Sequence, residues 1–207
     1  MSTRRRFGLL LAALAVPKAW AEAVPPIVGE VRQRLAQEPV LRGSFEQRKS
    51  IKGFRNPMVS HGDFVVAHDR GVIWRTQEPF ASTLVVTRGR VLTRQADGTV
   101  ARRLSAADEP AVRAISETLF ALMAADLAAL GQRFQIEGET SGKDGWRLVL
   151  RPRDAALARW LARVDLEGDR YLRTVRLQEA SGDQTLIRLS QQAGAASLTA
   201  PEGAELD

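Results

Sequence analysis

The sequence predicts an α+β fold, mainly β, in which a strongly curved antiparallel sheet forms an unclosed barrel capped by amphipathic helices. About ten or eleven short apolar segments are separated by turn sequences at close spacing, which is typical of an antiparallel meander. Several segments alternate apolar and polar residues, so one face of the sheet is apolar. Two other segments repeat apolar residues with the period of a helix. So many strands in 207 residues favour a curved sheet over a flat one.

The first half of the chain contains a helix followed by strands. Pro25-Pro26 begin a short amphipathic helix that ends before Pro39. The apolar face of this helix consists of Ile27, Val28, Val31 and Leu35. Glycine, proline and aspartate turns bound the strands that follow, which are predicted at 41–50, 62–67, 72–76, 84–86 and 91–92.

The second half contains another helix and a second series of strands. The helix is predicted from Asp108 to Ala125, with Pro110 in its first turn. Its apolar face consists of Val112, Ile115, Leu119, Leu122 and Met123. Hairpin turns separate strands predicted at 133–139, 146–151, 159–165, 172–179 and 185–191. No linker or repeat marks a domain boundary, so residues 22–207 are predicted to form a single domain.

The charge of the chain is concentrated at its N-terminus. The formal net charge is +6, but four of the 30 Lys and Arg residues lie within residues 1–21, where there is no acid. The remaining basic residues are interspersed with 24 Asp and Glu residues. This distribution argues against a nucleic-acid-binding surface. The absence of cysteine means that no disulfide supports the fold and that no thiolate can act as a nucleophile or ligand.

The first 21 residues have the pattern of a secretory signal peptide. Arg4-Arg5-Arg6 precede the apolar run Phe7 to Val16, and Ala19-Trp20-Ala21 has the A-x-A form of a cleavage site. The apolar run is about half as long as a helix that crosses a bilayer. We therefore expect cleavage near Ala21 and an exported, periplasmic protein that begins near Glu22. A buried N-terminal helix is the alternative.

The sequence contains no recognisable catalytic constellation. His61 and His68 have neither the helical spacing of a zinc pair nor an acidic third ligand at a familiar distance. There is no G-x-S-x-G elbow and no glycine-rich phosphate loop. Asp108-Glu109 stand where a helix begins and complement its dipole. We therefore expect no catalytic residue, no metal and no cofactor.

Several short motifs occur in an order and spacing that resemble the LolA lipoprotein-carrier family. The segment 41–47, Leu-Arg-Gly-Ser-Phe-Glu-Gln, resembles the G/A-x-F-x-Q segment of that family. Gly62-Asp63-Phe64, the strand 72–76 and Glu78-Pro79-Phe80 match the motifs that follow it. The apolar segment 84–89 resembles the next strand and its turn. The resemblance covers residues 27–100 well, and the remainder agrees in the order of its elements.

The resemblance implies a barrel with a hydrophobic cavity that shields the acyl chains of a lipoprotein, or another lipid-linked cargo, between the inner and outer membranes. It implies no catalysis. The implied partners are the cargo, an inner-membrane export transporter and an outer-membrane acceptor lipoprotein, and we expect a monomer. The candidate residues of the cavity and its lid are Phe64, Val66, Trp74, Leu84, Val86, Ile115, Leu119, Met123, Trp146 and Leu148.

One part of the chain departs from the family pattern. The well-known carriers have an Arg-Pro pair after the second strand, in which the Arg ties the lid to the barrel. The aligned residues here are His68 and Asp69, and Arg70 is the nearest Arg. The run Gly71 to Arg75 resembles that of a divergent branch of the family, which is associated with export of other lipid-linked products. The resemblance therefore does not identify the cargo.

Two other functions are compatible with the sequence pattern. Alternation of apolar residues cannot distinguish a filled core from an open cavity, so the chain could be an envelope interaction protein with a filled barrel. A hydrolase acting on lipid or glycan substrates would depend on His61, His68 or a nearby acid. Lipid in the purified protein would favour the carrier over both.

Overall fold

The computed structural model describes residues 25–87, 89–105, 117–118, 120–122 and 124–207, and eleven strands and four helices are delimited within them. The helices are α1 Pro26–Arg34, α2 Leu127–Arg133, α3 Ala155–Ala158 and α4 Ala200–Leu206. The first six strands are β1 Val40–Ser50, β2 Met58–Ala67, β3 Gly71–Glu78, β4 Ser82–Thr87, β5 Arg90–Gln95 and β6 Val100–Ser105. The other five are β7 Phe134–Ser141, β8 Gly145–Pro152, β9 Leu161–Gly168, β10 Leu172–Glu179 and β11 Gln184–Ala195.

All the strands form one antiparallel sheet in the order β6-β5-β4-β3-β2-β1-β11-β10-β9-β8-β7. Most neighbours in the sheet are consecutive strands, as expected for hairpin-connected meanders. The exception is the pairing of β1 with β11, which extends from Val40 opposite Ala195 to Ser50 opposite Gln184. This central pair joins two meanders into one sheet that is not closed. The predicted fold class is confirmed.

Two helices, α1 and α2, cover part of the inner face of the sheet. Helix α1 buries Val28 and Val31 against α2 and the strands β7–β10. The side chains beneath it include Phe134, Trp146 and Leu148. We call β7–β9 together with α1 and α2 the packed half, because its inner face is filled by these side chains. The strands β1–β5 are called the open half.

The outer face of the open half is covered by the C-terminal helix α4. Leu206 packs with Val65, Ile73 and Val85, which alternate along their strands with the inward-facing residues. Arginines from the open half bind the acidic residues of α4. Arg42 Nε donates to Glu202 Oε1 at 2.7 Å, and Arg75 Nη2 donates to Glu205 Oε1 at 2.9 Å. The outer face of the open half is therefore covered by this helix.

The boundaries of several predicted elements differ because short helices intervene. The strand predicted from residue 133 begins at Phe134 because α2 continues to Arg133, and the strand predicted from residue 159 begins at Leu161, after α3. The side chains of Asp126 and Asp154 cap these two helices. Within the predicted helix 108–125, residues 117, 118 and 120–122 are helical, and residues 124–125 form a turn. Its remaining residues lie outside the described part.

Candidate functional site

An apolar cavity of about 250 Å³ lies on the inner face, between the open half and the two strands β10 and β11. The strands of the open half contribute Phe64, Val66, Trp74 and Leu84. The lining residues that β10 and β11 contribute on the opposite side are mainly aliphatic. The remaining lining residues are Gln47, Lys49, Leu122, Leu172, Val175, Leu177, Thr185, Ile187 and Leu189. Such a lining suits an acyl chain, because it offers few polar partners to a ligand or to water.

Three stacked aromatic rings, which we call the aromatic wall, stand at one side of this cavity: Phe64 and Trp74 line it, and Phe45 stacks on Trp74 without lining it. The rings of Phe45 and Trp74 are stacked with their centroids 3.8 Å apart, and the ring of Phe64 lies 5.9 Å from that of Trp74. Phe45 and Phe64 are buried, whereas Trp74 is half-buried. The cavity therefore has an aromatic surface at this side, formed by Phe64 and Trp74.

Two glycines of the sequence motifs make room for this aromatic wall. A Cβ atom on Gly43 would lie 2.6 Å from Cζ of Phe64. A Cβ atom on Gly62 would lie 2.9 Å from Cε1 of Phe45 and only 1.8 Å from the backbone oxygen of Arg75. The glycine and phenylalanine positions of the segments 41–47 and 62–64 are therefore linked by packing across β1 and β2.

A second cavity of about 250 Å³ adjoins the first and opens toward the other end of the sheet. Phe64, Val66, Leu172 and Leu189 line both cavities, so the two form one groove along the strands. The mouth of the second cavity is polar. It carries Arg32, Gln37, His68, Asp126, Arg170, Tyr171 and Gln192.

The predicted cavity residues divide into three groups in the structure. Phe64, Val66, Trp74 and Leu84 line the apolar cavity. Val86 is fully buried beside them, packed with Phe120 and Ala124. Trp146 and Leu148 belong to the filled core beneath α1, at 3% and 0% exposure, and line neither cavity. Ile115, Leu119 and Met123 lie outside the described residues.

Sequence reasoning did not identify the opposite wall of the apolar cavity. Val175 and Leu177 showed the alternation of a half-buried strand, but nothing local placed them across from the aromatic wall. That placement follows from the pairing of β1 with β11, whose partners are about 140 residues apart in the chain. Ile187 and Leu189 then lie next to β1 and complete the wall.

The polar residues around the sheet form structural contacts. Hydrogen bonding by Arg42 lowers the pKa of Glu202 to about 2, and Thr199 contributes through the capping box of α4. Burial by itself would lower the pKa of Arg75. Its hydrogen bonds to Glu205 and Asp63 outweigh this effect and raise the pKa. Arg70 binds Asp207 and the carbonyl oxygen of Gly203, so the Arg nearest to the family's lid position is engaged with α4. Within the described residues no group of His, Asp and Glu could hold a metal ion.

A sequence model described as outer membrane lipoprotein carrier protein LolA matches residues 38–201. The chain belongs to this family. The predicted resemblance to LolA is thereby confirmed, with this chain as a divergent member. No protein with a curated description matches the chain at a significant level.

Several solved structures of low sequence identity are similar to this chain. A DUF1329 family protein from Desulfovibrio piger matches with a TM-score of 0.51 and 12% identity, over 88% of this chain and 97% of that chain. A LolA superfamily protein from Nitrosomonas europaea matches with a TM-score of 0.48 and 10% identity, over 85% and 94% of the two chains. MucB in its complex with MucA from Pseudomonas aeruginosa has a TM-score of 0.48 and 16% identity, over 87% of this chain and 62% of that chain.

Membership of the LolA family supports a carrier-type role in which lipid or lipoprotein is bound, and it implies a periplasmic protein. Proteins of this family are carriers and not enzymes. Among the helices of the described residues, none combines the length and the apolar character that a membrane-spanning segment requires.

Proposed function

We propose that this protein is a periplasmic carrier that holds the acyl chains of a lipoprotein, or of another lipid-linked cargo, in the groove on the inner face of its sheet. It ferries this cargo from the inner to the outer membrane and performs no chemistry on it. The observation that carries the proposal is the apolar cavity beside the aromatic wall of Phe45, Phe64 and Trp74. A donor transporter in the inner membrane and an acceptor lipoprotein in the outer membrane are its proposed partners.

The energetics of acyl burial suit a carrier. Each methylene transferred from water gains roughly 0.8 kcal/mol, so roughly ten sequestered methylenes contribute about 8 kcal/mol before ordering costs. That amount corresponds to about micromolar retention. The apolar cavity and the second cavity share four lining residues. An extended acyl chain therefore has a path along the strands from one cavity into the other.

Binding of a fluorescent fatty-acyl probe to protein recovered from a periplasmic extract tests this proposal. We expect saturable binding that a detergent competes away. Leu84→Gln should lower probe affinity at least about fivefold, because a half-buried lining residue becomes polar. Arg147→Gln is the matched control, since Arg147 is exposed on β8 and pairs only with Glu167 among the described contacts.

The same measurements distinguish the carrier from an interaction protein with a filled barrel. Absence of probe binding, together with absence of lipid in native mass spectra of freshly purified protein, would contradict the carrier and favour the filled barrel. Equal probe affinity of the Leu84→Gln and wild-type proteins would place the ligand elsewhere on the surface.

We also propose that residues 1–21 are a signal peptide that is cleaved near Ala21. The mature protein, residues 22–207, should then begin near Glu22 and be released by osmotic shock without detergent. Intact-mass measurement of the released protein tests this proposal. Recovery of only the full-length chain, in the membrane fraction, would contradict it.

A further inference from the structure

The exposed large hydrophobic residues of the described part of the chain are not scattered over its surface. There are five of them: Phe54, Met58, Phe80, Val100 and Trp160. Phe54 and Phe80 are 74% and 79% exposed, close to the exposure of a free side chain. Each costs free energy in water, so a shared location for all five calls for a physical explanation.

Strand register places the first three of these residues at one end of the sheet. Phe54 lies in the β1–β2 turn, and Met58 begins β2 opposite Lys49. Phe80 lies in the β3–β4 turn, at the same end, because β3 runs parallel to β1 in this meander. The β1–β2 hairpin extends past its neighbour, since the pairing of β2 with β3 ends at His61 and Glu78.

The other two residues lie at that end as well. Val100 begins β6 after the β5–β6 turn, and it pairs with Arg94. Trp160 immediately precedes β9, and its carbonyl oxygen accepts a hydrogen bond from Ala180 N in the β10–β11 turn. That turn adjoins the β1–β2 turn, because the central strands pair as far as Ser50 and Gln184. We call this end, defined by the five exposed residues, the apolar end.

The opposite end of the sheet has a different composition. Its described turns include 68–70, 142–144 and 169–171, which carry His, Asp, Arg, Lys, Gly and a half-buried Tyr171. None of the exposed large hydrophobic residues in the described part lies there. The protein therefore presents one end with apolar side chains and one end that is polar.

The apolar cavity extends to the apolar end. Lys49, which lines it, is the last residue but one of β1. On the opposite wall, Leu177 pairs with Thr185 close to the β10–β11 turn, and both line the cavity. An acyl chain in this cavity thus has the exposed aromatic residues beside its point of access.

Both basic and acidic residues occur at the apolar end. Lys52 and Arg55 lie in the β1–β2 turn and form no ion pair within the described residues. The carboxylates of Asp97, Asp154 and Asp183 accept hydrogen bonds from backbone N–H groups of nearby turns. Apolar contact is therefore one source of attraction between this end and a lipid surface, and the two cations of the β1–β2 turn are another.

We propose that the apolar end binds the surface of a phospholipid bilayer, with Phe54 and Phe80 inserted among the lipids and the cavity facing the membrane. The five side chains are spread over four different connections, whereas a protein-binding hot spot is a contiguous, tightly packed patch. A fluid bilayer accepts separate side chains without a matching pocket, and aromatic residues with nearby cations suit its interface. The inference rests on the proposed function, because it takes the membrane to be the place where the carrier exchanges its cargo.

Site-specific fluorescence tests the proposal cleanly because the natural chain has no cysteine. Phe80→Cys and the control Lys143→Cys, in a turn at the polar end, are labelled with an environment-sensitive dye. Vesicles of phosphatidylethanolamine and phosphatidylglycerol are then added to protein recovered from the periplasm. We expect a blue shift with increased intensity at position 80 and no change at position 143. No response at position 80, or equal responses at both positions, would overturn the proposal.

A substitution experiment measures the contribution of the two aromatic residues. Phe54→Ser with Phe80→Ser should lower partitioning to the same vesicles at least about tenfold, because two apolar side chains lose their contact with lipid. Both residues are exposed, so the unfolding midpoint should not change. The paired control, Lys143→Ser with Asp144→Ser, should partition like wild type.

The outcomes separate this inference from the proposed function. Fatty-acyl probe affinity is measured without vesicles, and we expect it to be the same in the Phe54→Ser, Phe80→Ser protein. Unchanged partitioning of that variant alongside normal probe affinity would overturn the membrane contact and leave the carrier intact. A response of the label at position 80 to a detergent-solubilised envelope extract, without any response to vesicles or to the same detergent alone, would also overturn it and indicate a protein partner.

Discussion

The packed half and the open half differ in the apolar pattern of their strands and are stabilised from opposite sides. The strands β7–β9 alternate buried residues with more exposed ones, whereas β2–β4 contain continuous apolar runs. In the packed half, α1 and α2 cover the inner face, and Phe134, Leu148 and Leu166 are fully buried beneath them. In the open half the inner face borders a cavity, and α4 covers the outer face above Ile73 and Val85. A sheet that leaves space on one face can therefore be held together from the other.

This difference separates the requirements of stability from those of binding. A filled inner face contributes to folding through close contacts that a ligand cannot replace. An inner face beside a cavity has fewer such contacts, and a ligand can supply the missing ones. Substitutions in the packed half should therefore change stability without changing affinity, whereas those at the aromatic wall should change both.

The largest expected effect is that of Leu148→Ala in the packed half. Its side chain is fully buried among residues of β7–β9, so truncation leaves a cavity and should cost about 2–5 kcal/mol of unfolding free energy. Denaturant titration measures this loss. The acyl-probe affinity of the folded fraction should be unchanged. A large fall in that affinity would mean that the packed half contributes to binding as well as to stability.

The second effect concerns the support of the open half by α4. Because the pKa of Glu202 lies at about 2 in the folded protein and near 4.5 in the unfolded chain, its stabilisation is present above pH 4.5 and is lost as the pH falls toward 2. The loss should amount to at most about 3 kcal/mol. Glu202→Gln should flatten this part of the stability–pH profile, and an unaltered profile would contradict a stabilising role for the Arg42 contact.

The third effect tests the space beneath the aromatic wall. Gly43→Ala places a Cβ atom within 2.6 Å of Cζ of Phe64 and 2.9 Å of the backbone oxygen of Ser190, so the ring must move. We expect a loss of about 2 kcal/mol in stability, together with severalfold weaker acyl-probe binding. Gly29→Ala in α1 is the control, because no atom lies within 4 Å of its Cβ position. It should raise stability by up to about 1 kcal/mol, and equal behaviour of the two variants would show that the wall tolerates the added atom.

The smallest effect is expected on the exposed surface of the packed half. Arg151 and Glu137 form an ion pair at 2.8 Å between β8 and β7, with both side chains about half exposed. Arg151→Ala should change the unfolding free energy by less than about 1 kcal/mol and should not affect probe affinity. A larger loss would show that the outer face of the packed half also needs polar support.

The sequence by itself determined the class of the fold and the family. Alternation, turn residues and the motif segments 41–47 and 62–64 are local, and they are sufficient to predict an antiparallel sheet with a LolA-like order of elements. Four of the ten candidate residues, Phe64, Val66, Trp74 and Leu84, line the cavity, and they lie on the strands β2–β4 that the sequence predicted. The helix α4 also had a local signal, a capping box from Thr199 to Glu202, although its seven residues are too few for a clear apolar period.

Only the tertiary structure decided which apolar residues border empty space. Trp146, Leu148, Trp74 and Leu84 are all apolar strand residues on the inner face of the sheet, yet α1 covers the first two and leaves the other two beside the cavity. The opposite wall depends on the pairing of β1 with β11, and the support of the open half depends on Arg42 meeting Glu202, 160 residues away. The physical reason is that alternation specifies which face a side chain occupies, whereas the filling of that face depends on elements that are distant in the chain.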